Sequence, residues 1–282
     1  MAILPGNEQL TDFRGMPLFS LRDISFLDTA EKEHIYKRII PPRLFDVLAV
    51  SSENLRGPDG KRKISFIAPR GLGILRIEAK LHVLDGDRVF LLDLADTHYR
   101  QMELAFCIIN DPYAPRFDVD KDSSGRDNCF ATLGRNIPEE LRAMETGLFP
   151  NQTHRGLKMF REFFSLFERF VDGLGMEMIV AEPLTYDNAI RYEKYGFDYI
   201  TGKRLMFEIN EGFKPGGLLF KRLDGSSPFR MPGMERSVRG RSWAIHDGIM
   251  AEPWDNVKIY KMVGGSAAIN TFPDRELEEE LS

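Results

Sequence analysis

The chain has 282 residues, a net charge of −5 and 43% hydrophobic residues, enough to bury a sizeable core in an ordinary globular protein. That charge gives no overall nucleic-acid signal, which would need a basic domain or stripe, and the two cysteines, Cys107 and Cys129, lack metal-site spacing and read as reduced thiols in a cytoplasmic protein. The first residues carry no basic region and are cut by Pro5 and Gly6, so no signal peptide is expected, and no apolar run is long enough to cross a membrane.

Residues 17–26 alternate in polarity and predict a strand. Asp28, with Glu31 three positions on, makes a capping-box start for a helix through residue 40. Pro41 and Pro42 end it, and Pro42 suits the first turn of a short helix through residue 49. Residues 51–63 form a polar linker with a Pro-Asp-Gly turn. Strands are predicted at 64–68, 73–84 and 88–94, the last two joined by Asp85-Gly86-Asp87 as a hairpin. Further strands at 104–109 and 116–119 complete an antiparallel sheet. Asp118, Asp120 and Asp122 alternate as in a calcium loop, but Gly125 comes too late for its turn and no Glu closes it. A solvated acidic turn is the reading.

The centre of the chain is residues 142–199. A strand at 142–149, a turn at 150–156, a helix at 157–174 and a strand at 176–181 make a βαβ unit with two parallel neighbouring strands. Met159, Phe160, Phe163, Phe164, Phe167, Phe170, Val171 and Leu174 recur at helical spacing and mark the core face of that helix, which Gly173 and Gly175 stop. A second helix, 187–195, ends at Gly196.

Beyond it, strands are predicted at 205–209, 218–222 and 257–263. Arg230, Arg236, Arg239 and Arg241 lie among turn residues, as an anion-binding flap or a solvated loop. Trp243 and Trp254 would anchor an extension to the body, and residues 274–282 are acidic and expected to fray. His246-Asp247 has no GxSxG elbow beside it, so a hydrolase triad is not supported. The fold expected is α/β (α+β), a mixed, mostly antiparallel sheet flanked by helices, with residues 1–210 as the body and 211–282 as the extension.

Tyr192-Glu193-Lys194-Tyr195-Gly196-Phe197 is similar to the YEKxGF signature of the GNAT superfamily, the acyl-CoA-dependent N-acyltransferases. Arg155-Gly156 resembles the start of that family's RGxGxG pyrophosphate loop, with Lys158 and Phe160 where the second and third glycines would stand. The resemblance covers about a fifth of the chain. It implies a GNAT-like sheet, acetyl-CoA or another acyl-CoA as donor, and attack of an amine on the acyl thioester. Tyr192 then matches the acid for the leaving thiolate, or is a helix Tyr packed on the core. Glu145, in the strand before the turn, faces either the acceptor cleft as base or solvent. Arg155, Gly156 and Lys158 would meet the pyrophosphate, Gln152 would add a donor, and Asn188 would bond the pantetheine. Asp187 reads as a helix cap.

The partners implied are a small-molecule or peptide amine acceptor and a second copy in a homodimer, with neither nucleic acid nor membrane. The alternatives are a synthase taking its acyl group from acyl carrier protein, and a degenerate GNAT fold kept as a binding module.

Overall fold

The computed structural model describes residue 4 and residues 8–273, apart from residues 130 and 132. The expectations for residues 1–3, 5–7 and the acidic tail 274–282 lie outside the described residues. Seven strands, β1 (Ile64–Ile67), β2 (Ile74–Ala79), β3 (Phe90–Asp96), β4 (Met102–Ile109), β5 (Met178–Ala181), β6 (Asp198–Thr201) and β7 (Lys258–Met262), form one sheet in the order β1-β2-β3-β4-β5-β7-β6. The pairs from β1 to β4 are antiparallel, as is β6 with β7, and β4 and β5 run parallel. The helices are α1 (Leu21–Ser25), α2 (Thr29–Tyr36), α3 (Pro42–Leu48), α4 (Ile137–Glu145), α5 (Phe160–Gly173), α6 (Tyr186–Lys194), α7 (Lys203–Phe213), α8 (Leu218–Lys221) and α9 (Val238–His246). This is the mixed, mostly antiparallel sheet flanked by helices that the pattern predicts. Among the described residues, no helix is long and apolar enough to cross a membrane.

The chain divides into two compact units. The first holds the residues up to Pro112 with Gly156–Ala181 and Lys261–Gly265, and the second holds Tyr113–Arg155, Glu182–Tyr260 and the residues from Ser266 on. In the first, Asp28 caps α2 by accepting the Glu31 amide at 2.9 Å, and Pro42 opens α3. The aromatic face of α5 is buried at Phe163, Phe164, Phe167 and Phe170, and Phe163 meets Phe90 of β3 edge-on at 5.8 Å. Each fully buried Phe contributes roughly 1.5–3 kcal/mol, so this face fixes the helix on the sheet. Gly175, at φ +66°, takes the left-handed turn after it.

The second unit has its own core of Phe117, Val119, Ala143, Leu148, Phe229 and Trp243. Trp243 is fully buried, its indole N–H donates to the Leu148 carbonyl at 2.9 Å, and its ring stacks on Phe229. Trp254 donates to the Pro183 carbonyl at 3.0 Å. Both tryptophans are anchors, as their size implies.

Several predicted strands are not strands. Residues 17–26 contain α1 instead, because Ser20 accepts the Asp23 amide and Asp23 accepts the Phe19 amide, a reciprocal capping pair. Residues 116–119 form a loop in which Arg116 holds Asp118 and Asp120, so the acidic turn is neutralised by arginine. Among the described residues, no group of three potential ligands gathers for a metal. Residues 142–149 are the end of α4 and a turn, so the parallel neighbour of β5 is β4, not this segment. Residues 205–209 lie in α7 and 218–222 largely in α8, and β6 is an unpredicted strand. The 73–94 hairpin closes through residues 80–89, since Ala79 pairs with Phe90.

Candidate functional site

In β4 the sheet changes from antiparallel to parallel pairing. The strand pairs with β3 along its length, and with β5 through Met102–Ile179, Glu103–Val180 and Leu104–Ala181. On β3, Asp93 faces Phe106 but the next residue, Leu94, faces Leu104, so Ala105 is an extra residue bulged out of β4. A bulge bends its strand and increases local twist. The parallel ladder reaches Leu104, β5 ends at Ala181, and β4 runs on to Ile109. Exposure follows the same break. Met102 and Leu104 are buried, Ala105 is exposed, and Phe106 to Ile109 are half-buried. Four half-exposed apolar residues of this middle strand thus lie past the end of the parallel ladder, towards the C-terminal end of β4.

The loop entering α5 meets the chain just past the end of β4. Asn110, just past β4, forms an antiparallel bridge with Gly156, and a Cβ on Gly156 would come 3.2 Å from the Ile109 carbonyl oxygen. The close approach explains the glycine. Lys158 is exposed and adopts φ +56°, a left-handed conformation that favours glycine. The helix begins two residues later, and its N-cap, Met159, makes no side-chain capping bond. Phe160 does not fill this turn. Its ring stacks on Phe164 at 6.1 Å and packs on Phe163 at 5.7 Å, along the helix. A lysine charge thus stands at the start of a 14-residue helix whose dipole favours an anion.

Gly156 is therefore brought to the end of β4, with Lys158 two residues on, within the first unit. The other predicted residues belong to the second. Glu145 does not sit in a strand before the loop; it is the exposed last residue of α4, because Ile137–Glu145 is helical. The Gln152 side-chain oxygen accepts the Phe149 amide at 2.9 Å, which closes the turn. Arg155 is exposed. Asn188, half-buried, donates to the Thr185 hydroxyl at 2.8 Å. Tyr192 is half-buried on α6 with its ring 4.9 Å from that of Phe197.

The motif around Tyr192 has a firm foundation. The Glu193 carboxylate is buried and accepts the Tyr199 hydroxyl at 2.6 Å, the Thr271 hydroxyl at 2.6 Å and the Thr271 amide at 3.1 Å. Burial, with Glu193 beside it, pushes the Tyr199 phenol far up. Thr185, not Asp187, is the cap of α6. Asp187 is buried and accepts the Ser242 hydroxyl at 3.2 Å, and burial raises its pKa above the usual carboxylate range despite nearby Arg191.

The His246-Asp247 pair serves the second unit's interior. His246 Nε2 lies 3.3 Å from Glu140, while Asp247 is held by Arg135 at 2.6 Å and Arg230 at 2.8 Å. Burial alone would raise Glu140, but the bonds from His246 and Arg135 outweigh it and hold the carboxyl below its ordinary value. Of the arginines read as a flap or loop, Arg236 is exposed and the other three are used inside. Arg241 is buried against Asn210 and the Phe272 ring, and Arg239 lies over Phe149. Sequence reasoning missed the bulge at Ala105, since Leu104-Ala105-Phe106-Cys107-Ile108-Ile109 reads as an unbroken strand.

Among known proteins, no family model, no curated protein and no solved structure matches the chain.

Proposed function

We propose that the protein is an acyl-CoA-dependent N-acyltransferase of the GNAT type, acting on an amine acceptor in the cytoplasm. The observation that carries this reading is the end of the parallel ladder: β4 is bulged at Ala105 and runs on past its last pairing with β5, and a helix start suited to phosphate follows the bridge at its end. A pantetheine arm is a linear chain with two amides that suits the backbone of a strand irregular in this way. The residues fit the donor. Gly156 brings the loop against β4, Lys158 keeps the left-handed turn that glycine would take while adding a charge, and the Phe160 ring is directed elsewhere.

The donor supplies a thioester carbonyl for the amine to attack. On this reading Lys158 and the first-turn amides of α5 hold the diphosphate, the attacking amine releases its proton to solvent water, and Tyr192, by the resemblance alone, gives its proton to the leaving thiolate. The buried Glu193–Tyr199–Thr271 node beneath Tyr192 keeps α6 in place. Glu145 drops out as base, since its expected strand is a helix end.

The test is thermal denaturation of the full chain with acetyl-CoA, longer acyl-CoAs and free CoA. A ligand at a hundred times its Kd stabilises the native state by about 2.7 kcal/mol. A shift with at least one of them is expected, and its absence at millimolar concentration with all of them overturns the proposal.

A further inference from the structure

Helix α7 buries Met206, Ile209, Asn210 and Phe213 and turns an opposite face outward. That face carries Lys203, Arg204, Phe207, Glu208 and Glu211 along an open groove of about 630 Å³. Phe207 at its centre is 46% exposed. The charges are sorted by sign, with two cations on the N-terminal side of Phe207 and two anions on the C-terminal side. Lys203 and Glu211 each stand four residues from Phe207, about 6 Å along the axis at 1.5 Å per residue.

A pattern antisymmetric about one residue is complementary to itself when a second helix lies antiparallel. We propose that α7 is the contact of a two-fold dimer of this chain, with Phe207 packed on the partner's Phe207 and Lys203 opposite the partner's Glu211. A two-fold contact must use one patch twice, and this patch meets that condition in its charge pattern. The helix dipoles oppose each other in the same arrangement. Of the existing pairs on this face, Arg204–Glu208 at 2.6 Å is exposed and exchanges partners readily, while Lys203, half-exposed, also holds Asp198 at 2.9 Å. The adjacent edge strand β6 adds Ile200, 55% exposed, to the apolar area available. One helix face is a small interface, so association is weak and salt-sensitive.

Sedimentation of the full chain across a concentration series tests this. The wild type should self-associate, and about 0.5 M salt should weaken it. Lys203→Glu and Glu211→Lys should each weaken the dimer about tenfold or more, because each places like charges opposite. An equal mixture of the two variants should recover wild-type association, since every pair across the two-fold is then of opposite sign. Phe207→Asp should abolish association with an unchanged melting temperature, and decides the matter alone if Lys203→Glu fails to fold. A chain that stays monomeric at every concentration, a dimer indifferent to these variants, or a mixture that does not recover each overturns the proposal.

Discussion

Replacing Lys158 with glycine separates two things the residue does. Its backbone sits at φ +56°, and a left-handed conformation costs a non-glycine residue roughly 1–2 kcal/mol. Glycine removes that strain but makes the unfolded chain more flexible, which takes back about 0.4–1 kcal/mol. Lys158→Gly should therefore be neutral to about 1 kcal/mol more stable, a rise of at most a few degrees in Tm. The ammonium is lost at the same time. A hydrogen bond to a charged group is worth about 1.5–3 kcal/mol, and Lys158 is exposed, so the lower end applies and CoA binding should weaken about tenfold. Lys158→Ala is the control, since alanine loses the charge yet keeps the strained turn. It should bind as weakly as Lys158→Gly without the gain in Tm. Calorimetric titration with CoA and thermal melts read both effects. Equal affinity in wild type and both variants would show that the lysine does not meet the diphosphate. A glycine variant that melts below the alanine variant would refute the strain argument.

Three other outcomes follow from the second unit. Tyr192→Phe keeps the ring packed on Phe197, so steady-state kinetics should show a lower kcat with unchanged KM and Tm; a matching fall in Tm would make the residue structural. Glu140→Gln removes the buried carboxylate that meets Arg135 and His246 and leaves Arg135 with Asp247 alone, and it should cost about 1–3 kcal/mol in denaturant melts. Because the folded pKa of Glu140 is depressed, its stabilisation is present above its unfolded pKa and is lost as pH falls through the folded value, so the variant should show a shallower acid slope. Asp187 has the opposite sign. Its folded pKa is raised by burial, so its contribution is full below the unfolded pKa and fades as pH rises through the folded one. Asp187→Asn should match or exceed wild type in Tm at pH 8, and a large loss there would mean that the carboxylate is ionised in the fold.

The elements that were legible share a property: their signals are local. Asp28 caps α2 through an amide three residues away, and the Phe face of α5 is a periodic pattern within 14 residues. Two of the misread helices, α4 and α7, each bury one polar residue on the face that sequence reasoning expects to be apolar. In α4 it is Glu140, whose partners include His246, 106 positions along the chain. In α7 it is Asn210, which accepts from Arg241, 31 positions on. A buried polar group is tolerated only with its partner in place. Neither partner can be inferred from the helix itself, so the helical period is broken and the shorter strand period takes its place.

The misplaced strand at 142–149 has a second cause, and it bears on the site. The turn at Gly156 needs a strand at its back, and the sequence offers residues 142–149 as the nearest candidate. The strand is in fact β4, which ends at Ile109, and residues 113–155 between them belong to the second unit. Asn110 and Gly156 form a bridge with each other, so the chain leaves the sheet and returns to it at one point. A long excursion whose ends meet adds little closure entropy, which rises only with the logarithm of loop length. The strand, turn and helix start can therefore stay together in space while they are separated in sequence. The loop entering α5 therefore meets its strand although that strand lies far back in the sequence, and the Asn110–Gly156 bridge links the strand that carries the bulge at Ala105 to the loop that carries Lys158.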